Sequence, residues 1–154
     1  MSTTEDAVVD HLAANVTAVA LTAGENVRNG PVMQATTSGT SATRAIPGEC
    51  VFVQETGGIK GVVYNGNLDA VEPEFTNLIQ GEAFPSVQIW VRSKPNDYSG
   101  GHALAEDCLR VIDRKPPVGF FDAQVVGSSP NQVRKDAQDR FEFSINVDLR
   151  QQRR

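Results

Sequence analysis

The chain has 154 residues, 40% of them hydrophobic, and a formal net charge of -5. That length suits one domain able to bury a core and is too short for two. The acidic balance excludes a protein that grips phosphates through clustered Lys and Arg, since such binding needs cations to displace counterions.

No apolar run approaches membrane-spanning length, and the opening MSTTEDAVVDHLAANV has neither a basic leader nor an unbroken apolar stretch. The expectation is a single domain over residues 1–154, made and kept in the cytoplasm, with no membrane contact. Glu5 to Leu21 reads as an amphipathic helix: Val8, Leu12, Val16, Val19 and Ala20 recur at three- and four-residue steps. Glu5 and Asp6 fall in its first turn, where the helix dipole favours anions, and Gly24 marks its stop. Thr22 to Glu49 is rich in Thr, Ser, Gly and Asn and lacks periodicity, so it reads as a long loop or arm, with an unresolved hairpin as the alternative. A structureless loop of that length in a compact domain usually has a use.

Cys50 to Thr56 is a short strand, Gly57-Gly58 supplies a turn, and Ile59 to Tyr64 returns as its hairpin partner. Asn65-Gly66 is a further turn, and Pro73 and Pro85 fence off an irregular or short helical piece with Phe75, Leu78 and Ile79. Ser86 to Arg92 alternates again, Val87, Ile89 and Val91 against Gln88, Trp90 and Arg92. Tyr98 to Arg114 is the second helix, with Leu104, Cys108, Val111 and Ile112 as its buried stripe, and Pro116-Pro117 prevents its continuation. Phe120 to Gly127 and Arg140 to Arg150 are two antiparallel strands joined by a polar loop, Ser128 to Asp139, and residues 151–154 form a basic tail.

In the last strand Phe141, Phe143, Ile145, Val147 and Leu149 alternate with Glu142, Ser144, Asn146, Asp148 and Arg150. One face belongs on a core and the other is offered to water or a partner. The element order predicts an α+β fold, one mixed, mainly antiparallel sheet with two helices packed on one face.

Chemistry is sparse along this chain. Cys50 and Cys108 are far apart and read as buried, reduced thiols. His11 and His102 lack a spaced second ligand and read as surface or capping residues. TGGIKG, Thr56 to Gly61, lacks the phosphate-loop spacing and reads as a turn. Ser128 and Ser129 lack a nucleophile elbow, and the carboxylates are not paired. No catalytic residue, metal ligand or cofactor is assigned, and an enzyme is not expected. Arg150, Arg153 and Arg154 read as a solvated tail or as a salt-bridging peg for a neighbouring subunit.

The order ECVFVQETGG, PSVQIWVRS, DYSGGHALAEDCLRVI and DRFEFSINVDLR resembles the minor capsid or tail terminator family of tailed bacteriophages. The matching positions are Glu55, Gly57 and Gly58, then Val87, Gln88, Val91 and Arg92, then Asp136, Arg140, Ser144 and Asn146. The likeness covers roughly Glu49 to Arg150 and the opening helix; the Thr/Ser loop and the Asn65 to Phe84 insertion depart from the pattern. The resemblance implies a virion protein of the tail or neck. It would form a six-fold ring at the head-proximal end of the tail tube, stop tube growth and meet the head. Implied partners are copies of itself, the tail tube protein and a head-completion or connector protein, with DNA passing through unbound. A ring joins subunits heterologously, which gives the outer strand face a use. Glu55, Gly57, Gly58, Arg92, Arg140, Asn146 and Arg150 are the candidate interface residues. Arg92 and Arg140 flank apolar runs and are expected at a sheet rim, bridging outward to a neighbour or inward to Asp97, Asp136 or Asp139. Head completion, connector adaptor, an interaction domain of a contractile or secretion apparatus, and a small α+β enzyme are the alternative roles.

Overall fold

A computed structural model describes residues 3–30, 49–64, 80–136 and 138–153. Thr3 caps the first helix, α1 (Thr4–Asn15): its hydroxyl accepts from the Asp6 amide while the Asp6 carboxylate accepts from the Thr3 amide. This reciprocal box satisfies two amides that the first turn leaves without helical partners. Val8, Val9 and Leu12 form the buried stripe. The helix stops at the Val16 cap, six residues short of the expected Leu21 end region, because a tertiary bond takes over. The amides of Thr17 and Ala18 donate to the Asp107 carboxylate, at 2.7 and 2.9 Å, and draw the chain off the helical path.

The expectation of a structureless arm from Thr22 fails over its first part. Gly24, with φ +83°, donates to the Val27 carbonyl, and the chain enters a strand, β1 (Val27–Asn29), that runs parallel to β2 (Cys50–Glu55). The remainder of that arm, 31–48, lies outside the described residues.

Gly57-Gly58 does not reverse the chain. β2 pairs with β5 (Ser86–Pro95), whereas β3 (Ile59–Tyr64) pairs with β4 (Gln80–Phe84), so β2 and β3 run in one line and β4 and β5 return beside them. The pair of glycines is a step within one long ribbon. Gly58 has φ +69°, and a Cβ there would collide with the Phe84 carbonyl oxygen and the Ser86 nitrogen, so only glycine lets the two backbones come this close. β4 also replaces the irregular piece expected before Pro85; Phe75, Leu78 and Ile79 lie outside the described residues.

The second helix, α2 (Tyr98–Ile112), starts where expected and ends at an Asp113 cap just before the expected Arg114, with Asp97 as N-cap accepting from the Gly100 amide. A Cβ on Gly101 would strike Ser93 and the Phe143 ring, so this glycine sets how closely α2 lies on the sheet. β6 (Asp122–Lys135) is longer than expected, because Asn131 to Lys135 pairs onward with β7 (Arg140–Arg153) beyond one register shift and across a second. The polar residues from Ser128 hid this strand: an edge strand exposed on both faces shows no apolar alternation.

The seven strands form one connected sheet whose main order is β1-β2-β5-β7-β6, parallel at β1–β2 and antiparallel elsewhere, with β4 paired to the last residues of β7 and β3 beside β4. Both helices pack on one face, α1 over β1 and β2 and α2 over β5, β6 and β7. The α+β class, the mixed sheet and the single helical layer are as the sequence predicts. Val51, Val53, Val87, Ile89, Val91, Phe143, Ile145, Val147 and Leu149 line that face, all at most 2% exposed. Full burial of each such side chain contributes roughly 1.5–3 kcal/mol.

Candidate functional site

The opposite face of the sheet carries the unexpected chemistry. Alternation puts Cys50, Phe52, Trp90, Arg92, Glu142 and Ser144 there, away from both helices, and register aligns them in rows. Phe52, Trp90 and Ser144 stand in one row, and Cys50, Arg92, Glu142 and Arg134 in the next. Cys50 and Phe52 form a small apolar cluster of their own with Trp90 against it.

Arg92 and Glu142 are each 1% exposed, and Arg140 is 3% exposed. Charges so deeply placed persist only when paired. The Arg92 Nη2 lies 3.5 Å from Glu142 Oε1 and its Nε 3.8 Å from Asp136 Oδ2; Arg140 Nε donates to the same Asp136 oxygen at 3.1 Å. Arg134 Nε donates to Glu142 Oε2 at 2.8 Å. The Arg92 guanidinium also sits 5.5 Å from the Phe52 ring centre, a cation–π contact.

Asp136 is the hub. Its other oxygen accepts from the amides of Gln138 and Arg140, both at 2.9 Å, so one carboxylate ties the β6–β7 turn to two buried arginines. Burial alone would raise its pKa, but the two amides and the Arg140 and Arg92 cations outweigh burial and hold it below the ordinary Asp value.

The expectation of rim guanidiniums bridging outward is corrected: Arg92 and Arg140 lie inside the subunit and bridge inward to Asp136. The expectation that the polar face of β7 is offered to water or a partner is corrected at Glu142 and Ser144, which are buried. Asn146, farther along the same face, is half-buried opposite Gln88 and Val126.

The other candidates gather toward the far end of the strands, eight residues along β7 from Glu142 to Arg150, about 26 Å by strand geometry. Arg150 stands 5.1 Å from the Phe121 ring centre and 5.6 Å from that of Phe84, whose carbonyl Gly58 abuts. A groove of about 240 Å³ there is lined by Phe84, Ser86, Asp122, Gln124, Asp148 and Arg150. Gly57 is exposed with φ +90°, and the amide of exposed Glu55 donates to the Glu5 carboxylate at 2.9 Å. Arg153 belongs to β7, not to a free tail, its backbone paired with Gly81; Arg154 lies outside the described residues. The seven candidates therefore form two groups with Asn146 between them.

Two further residues knit the helices. His11 Nε2 donates at 2.8 Å to the Val111 carbonyl, one of the last-turn carbonyls that α2 leaves without a helical partner. Asp107 binds the exit of α1 and pairs with Arg110. Burial pushes the Cys50 thiol up to about 11, and the Cys108 thiol higher still, so both are poor nucleophiles at neutral pH. Among the described residues no group of three His, Cys, Asp or Glu is placed to hold a metal ion, and no helix is long and apolar enough to cross a membrane. Glu142 and Arg134 were not singled out from the sequence; only strand register could reveal that they face Arg92. The chain matches no family model and no curated protein in the comparisons made.

Proposed function

We propose that this protein is a structural virion subunit, a tail terminator that forms a homo-oligomeric ring at the head-proximal end of a bacteriophage tail tube. The ring stops tube growth and joins tail to head, with the tail tube protein on one side and a head-completion or connector protein on the other. DNA crosses the lumen without specific binding, consistent with the net negative charge.

One observation carries this reading. Part of the motif behind the resemblance, Gln88, Arg92, Asp136, Arg140, Ser144 and Asn146, lies on or just beside neighbouring strands of one sheet face although its members are distant in sequence. Gln88 pairs with Asn146 and Trp90 with Ser144, while Arg92 and Arg140 share Asp136. Matches from strands distant in sequence that stand in register, with Arg92, Asp136 and Arg140 joined by ion pairs, support a shared architecture, while Glu55, Gly57 and Gly58 lie toward the other end of the strands. Function follows from that architecture only by likeness, so assembly is what has to be measured.

Native mass spectrometry and negative-stain imaging of the purified chain test the proposal. The expected result is a closed ring of about six copies, and one that caps purified tail tubes at a single end. A chain that stays monomeric at all concentrations and leaves tube growth unaltered overturns it.

A further inference from the structure

The two edges of the main sheet are held by different means. On the β6 edge the end of α2 seals the first half of the strand: the Asp113 carboxylate accepts from the Val125 amide and the Arg114 amide donates to the Ala123 carbonyl. On the β1 edge a strand of three residues is tied to a single neighbour, β2, and its last residue, exposed Asn29, is followed by Gly30. An Asn before Gly is the most reactive context for loss of a side-chain amide, because no Cβ shields the nitrogen that attacks.

The reaction makes definite demands on the backbone. The Gly30 nitrogen, on losing its proton to solvent, bonds to the carbonyl carbon of the Asn29 side chain; the bond from that carbon to Nδ2 breaks, and ammonia leaves. Water then opens the cyclic imide at either carbonyl. The net change is amide and water to carboxylate and ammonium, with aspartate or isoaspartate at position 29.

The folded edge opposes each demand. The Gly30 N–H donates to the Val53 carbonyl at 2.8 Å, in the plane of the sheet, so its proton is engaged and its nitrogen is aimed at β2. The Asn29 side chain leaves that plane on the side that α1 covers, and its Nδ2 donates to Asp6 Oδ1 at 2.6 Å. A carboxylate that accepts from Nδ2 feeds electron density into the amide and makes its carbon a poorer electrophile. Attack therefore waits for β1 to leave β2, a local opening at the end of a short edge strand. The product has lost what held its precursor. Asp6 also accepts from the Thr3 amide in the cap of α1, so a carboxylate at position 29 meets a second carboxylate where the amide offered a donor. Arg28, which lines the same hollow between α1 and β1, donates its Nε to the Glu25 carbonyl.

We propose that Asn29-Gly30 is a latent deamidation site, kept intact by the folded β1 edge, and that its reaction frees β1 from α1 irreversibly. An intact edge protects the amide, and a reacted one no longer docks on the helix cap.

Peptide mapping by mass spectrometry, on the full chain held at mildly alkaline pH with and without guanidinium chloride, reads the reaction. Asn65-Gly66, the other Asn-Gly pair of the sequence, is the internal reference in the unfolded chain. In denaturant the two pairs should react at similar rates, and folding should slow Asn29 at least about tenfold. A folded chain in which Asn29 reacts as fast as in denaturant overturns the protection. Asn29→Asp supplies the product directly: amide hydrogen exchange at Gly30 should quicken at least about tenfold, with α2, β5 and β7 unchanged. Exchanging the pair, Asp6→Asn with Asn29→Asp, sets a donor against an acceptor again and should return exchange to the wild-type rate. Wild-type exchange in Asn29→Asp, or an exchanged pair no slower than the single variant, overturns the release of β1. Where Asn29→Asp does not fold, recovery of folded protein by the exchanged pair decides the same point.

Discussion

The two faces of the central sheet are cut from the same strands and each hides large side chains from water, yet opposite chemistry holds them. Under the helices, Val91 and Phe143 meet Leu104 and Cys108 in an apolar core. On the other side, one residue away along each strand, Arg92 and Glu142 meet Asp136 and Arg140. An apolar face gains from area removed from water and tolerates exchange of one hydrophobe for another of similar volume. An ionic face gains little net energy, since desolvation offsets the attraction, but it penalises the loss of any single partner. Geometry is the compensation: Asp136 ties two guanidiniums and two amides of the β6–β7 turn to one carboxylate.

The largest effect distinguishing the faces should come from a charge placed on the apolar one. Phe143→Asp puts an unpaired carboxylate at a position with 0% exposure, and the cost is comparable with the whole stability of a domain, about 5–15 kcal/mol. No soluble folded protein should be recovered; a variant that purifies with unchanged melting would contradict the core assignment.

Next in size is the loss of one partner on the ionic face. Glu142→Ala takes one carboxylate from between Arg92 and Arg134 and leaves the buried Arg92 guanidinium under-compensated, which should lower unfolding free energy in urea by about 3–5 kcal/mol. The double variant Arg92→Met with Glu142→Leu removes one charge of each sign and should recover most of that loss. If the double variant is no better than the single, the network is not what stabilises this face.

Acid provides a smaller and graded test. Asp136 has its pKa held below the ordinary 3.8, so the unfolded chain binds its proton at higher pH than the folded one. Its stabilising contribution is fully present above 3.8 and is lost as pH falls from there through the lower folded value. Urea midpoints should drop as the medium is taken from about pH 6 to about pH 3, and Asp136→Asn should be less stable at neutral pH but flatter in acid. An equal acid slope in wild type and variant would place the sensitivity elsewhere, with Asp107, also held low against burial by the Thr17 and Ala18 amides and by Arg110, the next carboxylate to replace.

The smallest effect belongs outside both faces. Arg114 pairs with Asp122 at 3.2 Å on the surface, its side chain 60% exposed. Arg114→Ala keeps the amide that caps Ala123 and should cost about 0–1 kcal/mol. A larger loss would show that sealing of the β6 edge depends on the ion pair and not on the backbone.

The local periodicities of this sequence determined the starts of α2, β5 and β7 and placed their ends within a few residues, because each carries an apolar face at a clean helical or strand repeat. They also gave the α+β class and the single helical layer, since two amphipathic helices among alternating strands have one economical packing. What only the tertiary structure decided were the features set by pairing. Gly57-Gly58 reads as a hairpin turn locally, and it became a step in a straight ribbon because β4, not β2, supplies the partner of β3. α1 ends early because Asp107, about ninety residues away in sequence, takes the next two amides. Arg92, Glu142 and Arg140 each look solvent-facing along their own strand; their burial depends on register between strands, which alternation within one strand cannot encode.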